Sequence, residues 1–203
     1  MSKTPSARLK TPIGIVSYPH LFEAVAAEEG QKKKYSVTLV FDKAAQASPE
    51  FKAMQEAAKA AATGKFGPDA IGWFASNKLR SPFRKDAVDK GYPEGTIFVN
   101  LRSDTAPGVV SRYKGADGKP LTITKEQQVP GNAEEIYPGC QGRATVSCFA
   151  YDRAGNKGVS FGLSNFQKTG EGSRIDNRKA AKDEFEADLT EVPADLPGEE
   201  PVI

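Results

Sequence analysis

The sequence is poor in the residues that build metal centres, disulfide frameworks and membrane spans. It has one histidine, His20, and two cysteines, Cys140 and Cys148. A lone imidazole in Tyr18-Pro19-His20-Leu21-Phe22, with no thiol or carboxylate cluster beside it, makes a poor metal site and reads as a surface or structural residue. The cysteine spacing matches neither a zinc ribbon nor a redox pair, so both read as free buried thiols of an intracellular protein. No window approaches the roughly 20 apolar residues of a membrane span, and the opening MSKTPSARLKTPIGIV has no apolar run of secretory length. These absences predict a soluble, cytoplasmic chain without membrane contact.

Catalytic patterns are missing as well. There is no Walker loop, dinucleotide fingerprint or calcium loop. Gly158-Val159-Ser160-Phe161-Gly162 has the letters of a nucleophile elbow. An elbow needs strand, sharp turn and helix with a later histidine, whereas here the strand pattern continues and the one histidine lies far upstream. The nearest carboxylate pairs, Glu134-Glu135 and Asp86 with Asp89, fall in loop-like stretches and read as solvated charge. No enzyme, no cofactor and no metal are expected.

What is present is an asymmetry of charge hidden by a net +2. Residues 183–203 hold Asp183, Glu184, Glu186, Asp188, Glu191, Asp195, Glu199 and Glu200 and no Lys or Arg, a charge of −8. The preceding residues hold all 28 Lys and Arg against the other 18 of the 26 acids, a charge of +10. A basic body of residues 1–182 with an acidic, flexible tail at 183–203 points to a polyanionic partner.

Patterning within the body is mostly that of strands. Residues 1–12 are polar with two prolines and read as a loose arm. Gly14 to Tyr18 and Lys34 to Phe41 favour extended structure, the second with Tyr35, Val37, Leu39 and Phe41 alternating against polar residues. Pro19 to Lys33 reads as a long loop. Ser48-Pro49-Glu50 opens a helix with an N-cap serine and proline at the first position, and Phe51, Met54, Ala58 and Ala61 fall on its core-facing side until about Gly64. Residues 64–95 are rich in Gly, Pro and cations and read as structured loop. Strands follow at Thr96 to Ser103, then Val109 to Tyr113 and Lys119 to Thr124 as a hairpin. Residues 142–151 alternate cleanly, turn at Asp152 to Lys157, and return as Gly158 to Lys168. Many strands, one clear helix and short turns predict a mainly β fold, a small Greek-key barrel with an extra hairpin and long loops.

Cations are interleaved with aromatic rings in three places. The hairpin 142–168 presents Arg143, Phe149 and Tyr151 on one strand face, with Arg153 and Lys157 at its turn. A second group is Trp73, Lys78, Arg80, Phe83, Arg84 and Lys85, and a third is Arg102, Arg112, Tyr113 and Lys114. Lys33 and Lys34 add charge at the start of the second strand. Rings that stack bases and cations that neutralise phosphates are what a sequence-tolerant single-strand groove needs, since every base has a π-face. Phe149 and Phe161 fit a core position as well as a stacking one.

The stretch YPGCQGRATVSCFAYDRAGNKGVSFGLSNFQKTGEGSRI, residues 137–175, resembles a family of bacteriophage single-stranded DNA-binding proteins with an OB-fold. ARLKTPIGIVSYPHLFEAV near the start, KKKYSVTLVFDK at 32–43 and the acidic ending are similar too. The resemblance implies a five-stranded OB barrel over residues 1–182. It implies sequence-independent binding of single-stranded DNA in phage DNA replication or recombination, in the cytoplasm of an infected host. It also implies contact with replication proteins through 183–203, and binding positions at Tyr35, Arg143, Phe149, Tyr151 and Lys157. The chain departs from the pattern in ending Pro201-Val202-Ile203 without an aromatic residue, and in a helix that follows the second strand rather than the third. An RNA-binding or strand-annealing module, or a self-assembling virion protein, are the competing readings.

Overall fold

The computed structural model describes residues 8–26 and 28–176, so the acidic tail expected at 183–203 lies outside the described residues. The strands are β1 (Leu9–Lys10), β2 (Gly14–Val25), β3 (Lys34–Phe41), β4 (Ile97–Ser103), β5 (Gly108–Lys114), β6 (Pro120–Thr122), β7 (Gln141–Arg153) and β8 (Asn156–Gly170). The helices are α1 (Lys43–Ala47), α2 (Pro49–Phe66) and α3 (Ala70–Ala75), with a 3-10 turn at Val88–Lys90.

Pairing runs in the order β1-β7-β2-β3-β4-β8-β5-β6, and β7 also pairs with β8, so β2, β3, β4, β8 and β7 return on themselves as a ring. The hairpin β7–β8 pairs along its whole length from Gly142↔Lys168 to Arg153↔Asn156. Its turn, Ala154-Gly155, has φ of 49° and 83°, two left-handed residues whose twist matches that of the strands they join. Two seams of the ring are thin. β2 meets β7 only at Gly14↔Gly142 and Ile15↔Gln141, and β4 meets β8, in parallel, only at Leu101↔Phe161 and Arg102↔Gly162. Where β4 and β8 separate, the chain at 80–84 is stitched between them. The Arg80 N–H donates to Lys157 O (3.0 Å), the Val159 N–H to Arg80 O (3.0 Å), the Arg84 N–H to Phe98 O (2.9 Å) and the Phe98 N–H to Arg84 O (3.1 Å).

Alternate residues of the ring strands fill its interior: Val37, Leu39 and Phe41, Val99 and Leu101, Ala144, Val146 and Cys148, and Val159, Phe161 and Leu163 are all buried. Helix α2 closes one end. It starts because Ser48 Oγ accepts the Phe51 N–H (3.2 Å) and Pro49 sits where no amide hydrogen is needed, and it buries Phe51, Met54, Ala58 and Ala62. Phe41, Phe51, Phe83 and Phe161 follow one another with ring centroids 5.6, 5.1 and 5.7 Å apart. Each such pair is worth about 0.5–1.5 kcal/mol beyond the area it buries, so these rings weld the helix to the 80–84 stitch and to β8.

Several expectations are corrected. The 19–33 loop begins only after Val25, because β2 absorbs Pro19 through two irregularities in its register with β3. The arm at 1–12 is not loose throughout, since Leu9 and Lys10 pair with Val146 and Thr145. The 64–95 region contains α3 and the 3-10 turn. Ala62 joins Phe51, Met54 and Ala58 as a buried residue of α2, with Ala61 partly buried against the same core as its spacing indicates. Glu134-Glu135 is not solvated charge: Glu135 is buried and paired with Arg174 at 3.1 Å, and Glu134 accepts the Ser111 hydroxyl (3.0 Å). Phe161 is core, whereas Phe149 is 46% exposed. Both cysteines are free and buried. Among the described residues no helix is long and apolar enough to cross a membrane.

Candidate nucleic-acid interface

The outer face of β2, β3 and β4 carries a cleft of about 900 Å³. Its floor follows from the register. His20 stands beside Ser36, Ser36 beside Arg102 and Thr38 beside Asn100, with the Thr38 hydroxyl donating to Asn100 Oδ1 (2.7 Å). Small polar side chains keep this floor low. Cations stand around it: Lys32 and Lys34 from the entry to β3, Lys90 after the 3-10 turn, Arg102 from β4 and Arg153 from the tip of the β7–β8 hairpin. No carboxylate is among the described residues that line it. Asp104 sits just outside, 3.4 Å from Lys32 and 3.2 Å from Lys34. Hydrogen bonds from Lys34 and then Lys32 hold its carboxyl below the usual range. Exposed pairs of this kind are weak and exchangeable, so Asp104 orients the two ammonium groups without removing them from competition.

Aromatic residues frame the cleft. Tyr92 is buried against Phe98 (5.4 Å) and its hydroxyl donates to Ser17 Oγ (2.9 Å). Burial raises its pKa, so the hydroxyl stays protonated as a donor. Tyr18 is the opposite case, 66% exposed on the rim with φ of 45°. A tyrosine immediately before a proline is driven to extended backbone by the proline ring. A left-handed backbone there costs about 1–2 kcal/mol and is sustained by the register irregularity between Ser17 and His20.

From Arg102 the same face crosses Gly162 on β8 to β7. Phe149 pairs with Ser160, Tyr151 with Gly158 and Arg153 with Asn156. With no side chains at Gly158 and Gly162, the Tyr151 ring lies across the first and the edge of the Phe149 ring comes near the second, leaving Tyr151 half-buried and Phe149 46% exposed. A Cβ at Gly158 would run into the Tyr151 ring, so any other residue there has to displace it. Arg143 lies farther along this strand face, its Nε donating to Gln167 Oε1 (2.9 Å).

The residues singled out in the sequence therefore separate. Lys34, Arg102 and Arg153 converge on the cleft, and Phe149, Tyr151 and Arg143 extend its face. Lys33 is exposed beside it without lining it. Tyr35 is half-buried and, by alternation, on the side of Val37 and Leu39. Lys157 pairs with Asp152 across the hairpin, on the inward-facing parity. It joins Trp73 behind the sheet, its Nζ 5.7 Å from the indole centroid. Arg112 and Tyr113 stack on each other at 5.0 Å on β5, away from the cleft, and Lys78 is exposed and lines neither depression described here.

Arg80, Phe83 and Arg84 line a second depression of about 670 Å³, with Phe74, Lys85 and Asp86. Phe83 is its half-buried floor. Arg84 is held by Asp86 through two hydrogen bonds of 3.0 and 2.7 Å and lies 5.9 Å from the Phe98 ring. Arg84 and the local hydrogen bonds around it hold the Asp86 carboxyl below the usual range despite partial desolvation.

Sequence reasoning missed Tyr18, His20, Lys90, Tyr92 and Asn100 as cleft residues. Lys90 and Tyr92 carried the basic-aromatic signal within 64–95. Nothing in the sequence marks the left-handed backbone of Tyr18.

The arrangement matches known proteins. A family model described as the Enterobacter phage Enc34 ssDNA-binding protein matches residues 10–196. The solved single-stranded DNA-binding protein from bacteriophage Enc34, in complex with ssDNA, is 20% identical, with 86% of this chain and 99% of that chain covered and a TM-score of 0.62. A C-terminal truncation of the Enc34 protein is 19% identical, with 86% and 99% covered and a TM-score of 0.57. The single-stranded DNA-binding protein gp2.5 encoded by bacteriophage T7 is 15% identical, with 95% and 99% covered and a TM-score of 0.54. No curated protein sequence matches the chain. Spanning the ring, the cleft and the hairpin alike, the family match shows that the chain belongs to the phage Enc34 ssDNA-binding protein family.

Proposed function

We propose that this protein binds single-stranded DNA without sequence preference, in phage DNA replication or recombination, on the outer face of an OB barrel. The observation that carries this reading is the cleft itself, five cations with no lining carboxylate among the described residues, continuous with the exposed Phe149 and the half-buried Tyr151. The ring supports the OB assignment. Counting β2, β3, β4, β7 and β8 as its five strands, the order is 1-2-3-5-4 with strands 4 and 5 as a hairpin. OB folds bind oligonucleotides on strands 2 and 3 and on the loops joining strands 1–2 and 4–5. Here those are β3 and β4, the segment leading to Lys32 and Lys34, and the tip carrying Arg153. Phosphates lie on the cations, and bases stack on Tyr18, Phe149 and Tyr151, each stack worth about 1–3 kcal/mol.

A salt-titrated comparison of single- and double-stranded oligonucleotides tests this. Each phosphate neutralised contributes about −0.7 to the log–log slope, so full use of the five cations gives a slope of about −3.5. Affinity that barely changes with salt, or equal affinity for duplex, overturns the reading.

The tail at 183–203, with its −8 charge, serves as a competitor for this groove and as a contact for replication proteins. A random coil of about 21 residues spans about 25 Å r.m.s., beyond the roughly 16 Å radius of gyration of a compact body of about 182 residues, a reach that corresponds to an effective concentration of millimolar order. Deleting 183–203 tightens DNA binding at low salt and does so less at high salt. Unchanged affinity in the truncation rules out competition.

A further inference from the structure

We infer that the second depression is a separate subsite for single-stranded DNA, one that receives the continuation of the strand after it leaves the main cleft. This rests on the DNA-binding reading above and adds to it a path and a longer footprint.

The two hollows have no lining residue in common but approach each other at Phe98 and Arg84. Phe98 lines the first and Arg84 the second, and the Arg84 guanidinium stands 5.9 Å from the Phe98 ring. A strand tracking the main cleft therefore meets a cation already fixed in place by Asp86 before it enters the second hollow. Beyond that point, Arg80 and Lys85 are exposed at the rim with no acidic partner within ion-pair distance among the described residues. The lining holds three cations, Arg80, Arg84 and Lys85, against the single carboxylate of Asp86, so the hollow is complementary to a polyanion. Phe74, half-buried in its wall, offers a ring face for one base. The hollow's backbone is held to β4 and β8 by the four hydrogen bonds of the 80–84 stitch, so the site is pre-organised and a ligand does not have to order a free loop.

Single OB folds cover about 4–16 nucleotides, which sets the experiment. Binding of oligothymidylates of about 6 and about 14 nucleotides is measured for the full chain and for the double variant Arg80→Ala, Lys85→Ala. The short oligonucleotide fills the main cleft alone and binds both proteins equally. The long one binds the variant about tenfold more weakly, with a salt slope shallower by about 1.4, the share of two phosphates. Phe74→Ala weakens the long oligonucleotide without changing that slope. Loss of equal size at both lengths, or no loss at either, overturns the subsite while leaving the main cleft standing. A wild-type protein that binds neither oligonucleotide overturns both.

Discussion

Lys157 and Trp73 are held together behind the β7–β8 hairpin, with the ammonium 5.7 Å from the indole centroid and equally 5.7 Å from the Phe66 ring. Asp152 approaches the same ammonium to 3.9 Å. The hairpin tip thus carries Arg153 on its cleft side and an anchor to α2 and α3 on the other. A lysine so placed fixes where Arg153 stands, and under the proposed function its contribution to DNA binding runs through that residue.

Lys157→Met should therefore weaken DNA binding several-fold while leaving the salt slope unchanged, and should cost about 0.5–1 kcal/mol of stability, the size of a partly exposed cation–π contact. Trp73 emission reports the change directly. Arg102→Ala, in the cleft, should reduce the slope by about 0.7. A slope loss in Lys157→Met equal to that in Arg102→Ala would place Lys157 on a phosphate instead.

Tyr18 combines exposure with a strained backbone, and its two contributions have opposite signs. Tyr18→Gly should raise stability by about 1 kcal/mol, because glycine adopts φ of this sign freely. The same variant should lose about 1–3 kcal/mol of DNA affinity with the ring. Thermal unfolding and fluorescence anisotropy on one preparation separate the two, and retained affinity would remove Tyr18 from the site.

Gly158→Ala should destabilise the fold by about 1–3 kcal/mol, the range for overpacking a close contact, and should displace the Tyr151 ring that crosses it. In a Tyr151→Ala background the same change should cost almost nothing. Denaturant midpoints of the four proteins in that cycle measure the coupling.

Burial pushes the Cys140 thiol up to about 11 and the Cys148 thiol up to about 12. Both should resist alkylation in the native state at about pH 8 and react once the chain unfolds. The folded values lie above the unfolded one, so the contribution of these thiols to stability is complete below about pH 9 and is lost as pH rises toward 11 and 12. Replacing both with Ala or Val should flatten the stability profile across that alkaline window.

The hairpin was legible because the alternation along β7, Ala144, Val146 and Cys148 against Arg143, Thr145 and Ser147, fixes which face is buried, while the register shift between Thr145↔Asn165 and Val146↔Leu163 left no mark in that pattern. Lys157 was misplaced because its face depends on the turn. With Ala154-Gly155 as a two-residue turn, Arg153 must oppose Asn156, which sends Lys157 to the inward parity beside Asp152. A count one residue longer would have put it in the groove. The second half of β2 was hidden for a different reason: Pro19 and two register irregularities break the period from which a strand is read. The cleft was visible only as basic-aromatic composition. Its location depends on β3 and β4 pairing across 62 residues of sequence, as Thr38 and Asn100 do, and no local pattern reports that.

The stitch at 80–84 makes the barrel wall there out of irregular chain, fastened on one side to β8 through Arg80 and on the other to β4 through Arg84. Four hydrogen bonds, two to each neighbour, carry the ring across that stretch in place of a continuous strand ladder, so amide protection at Arg80, Arg84, Phe98 and Val159 reports directly whether the barrel opens there.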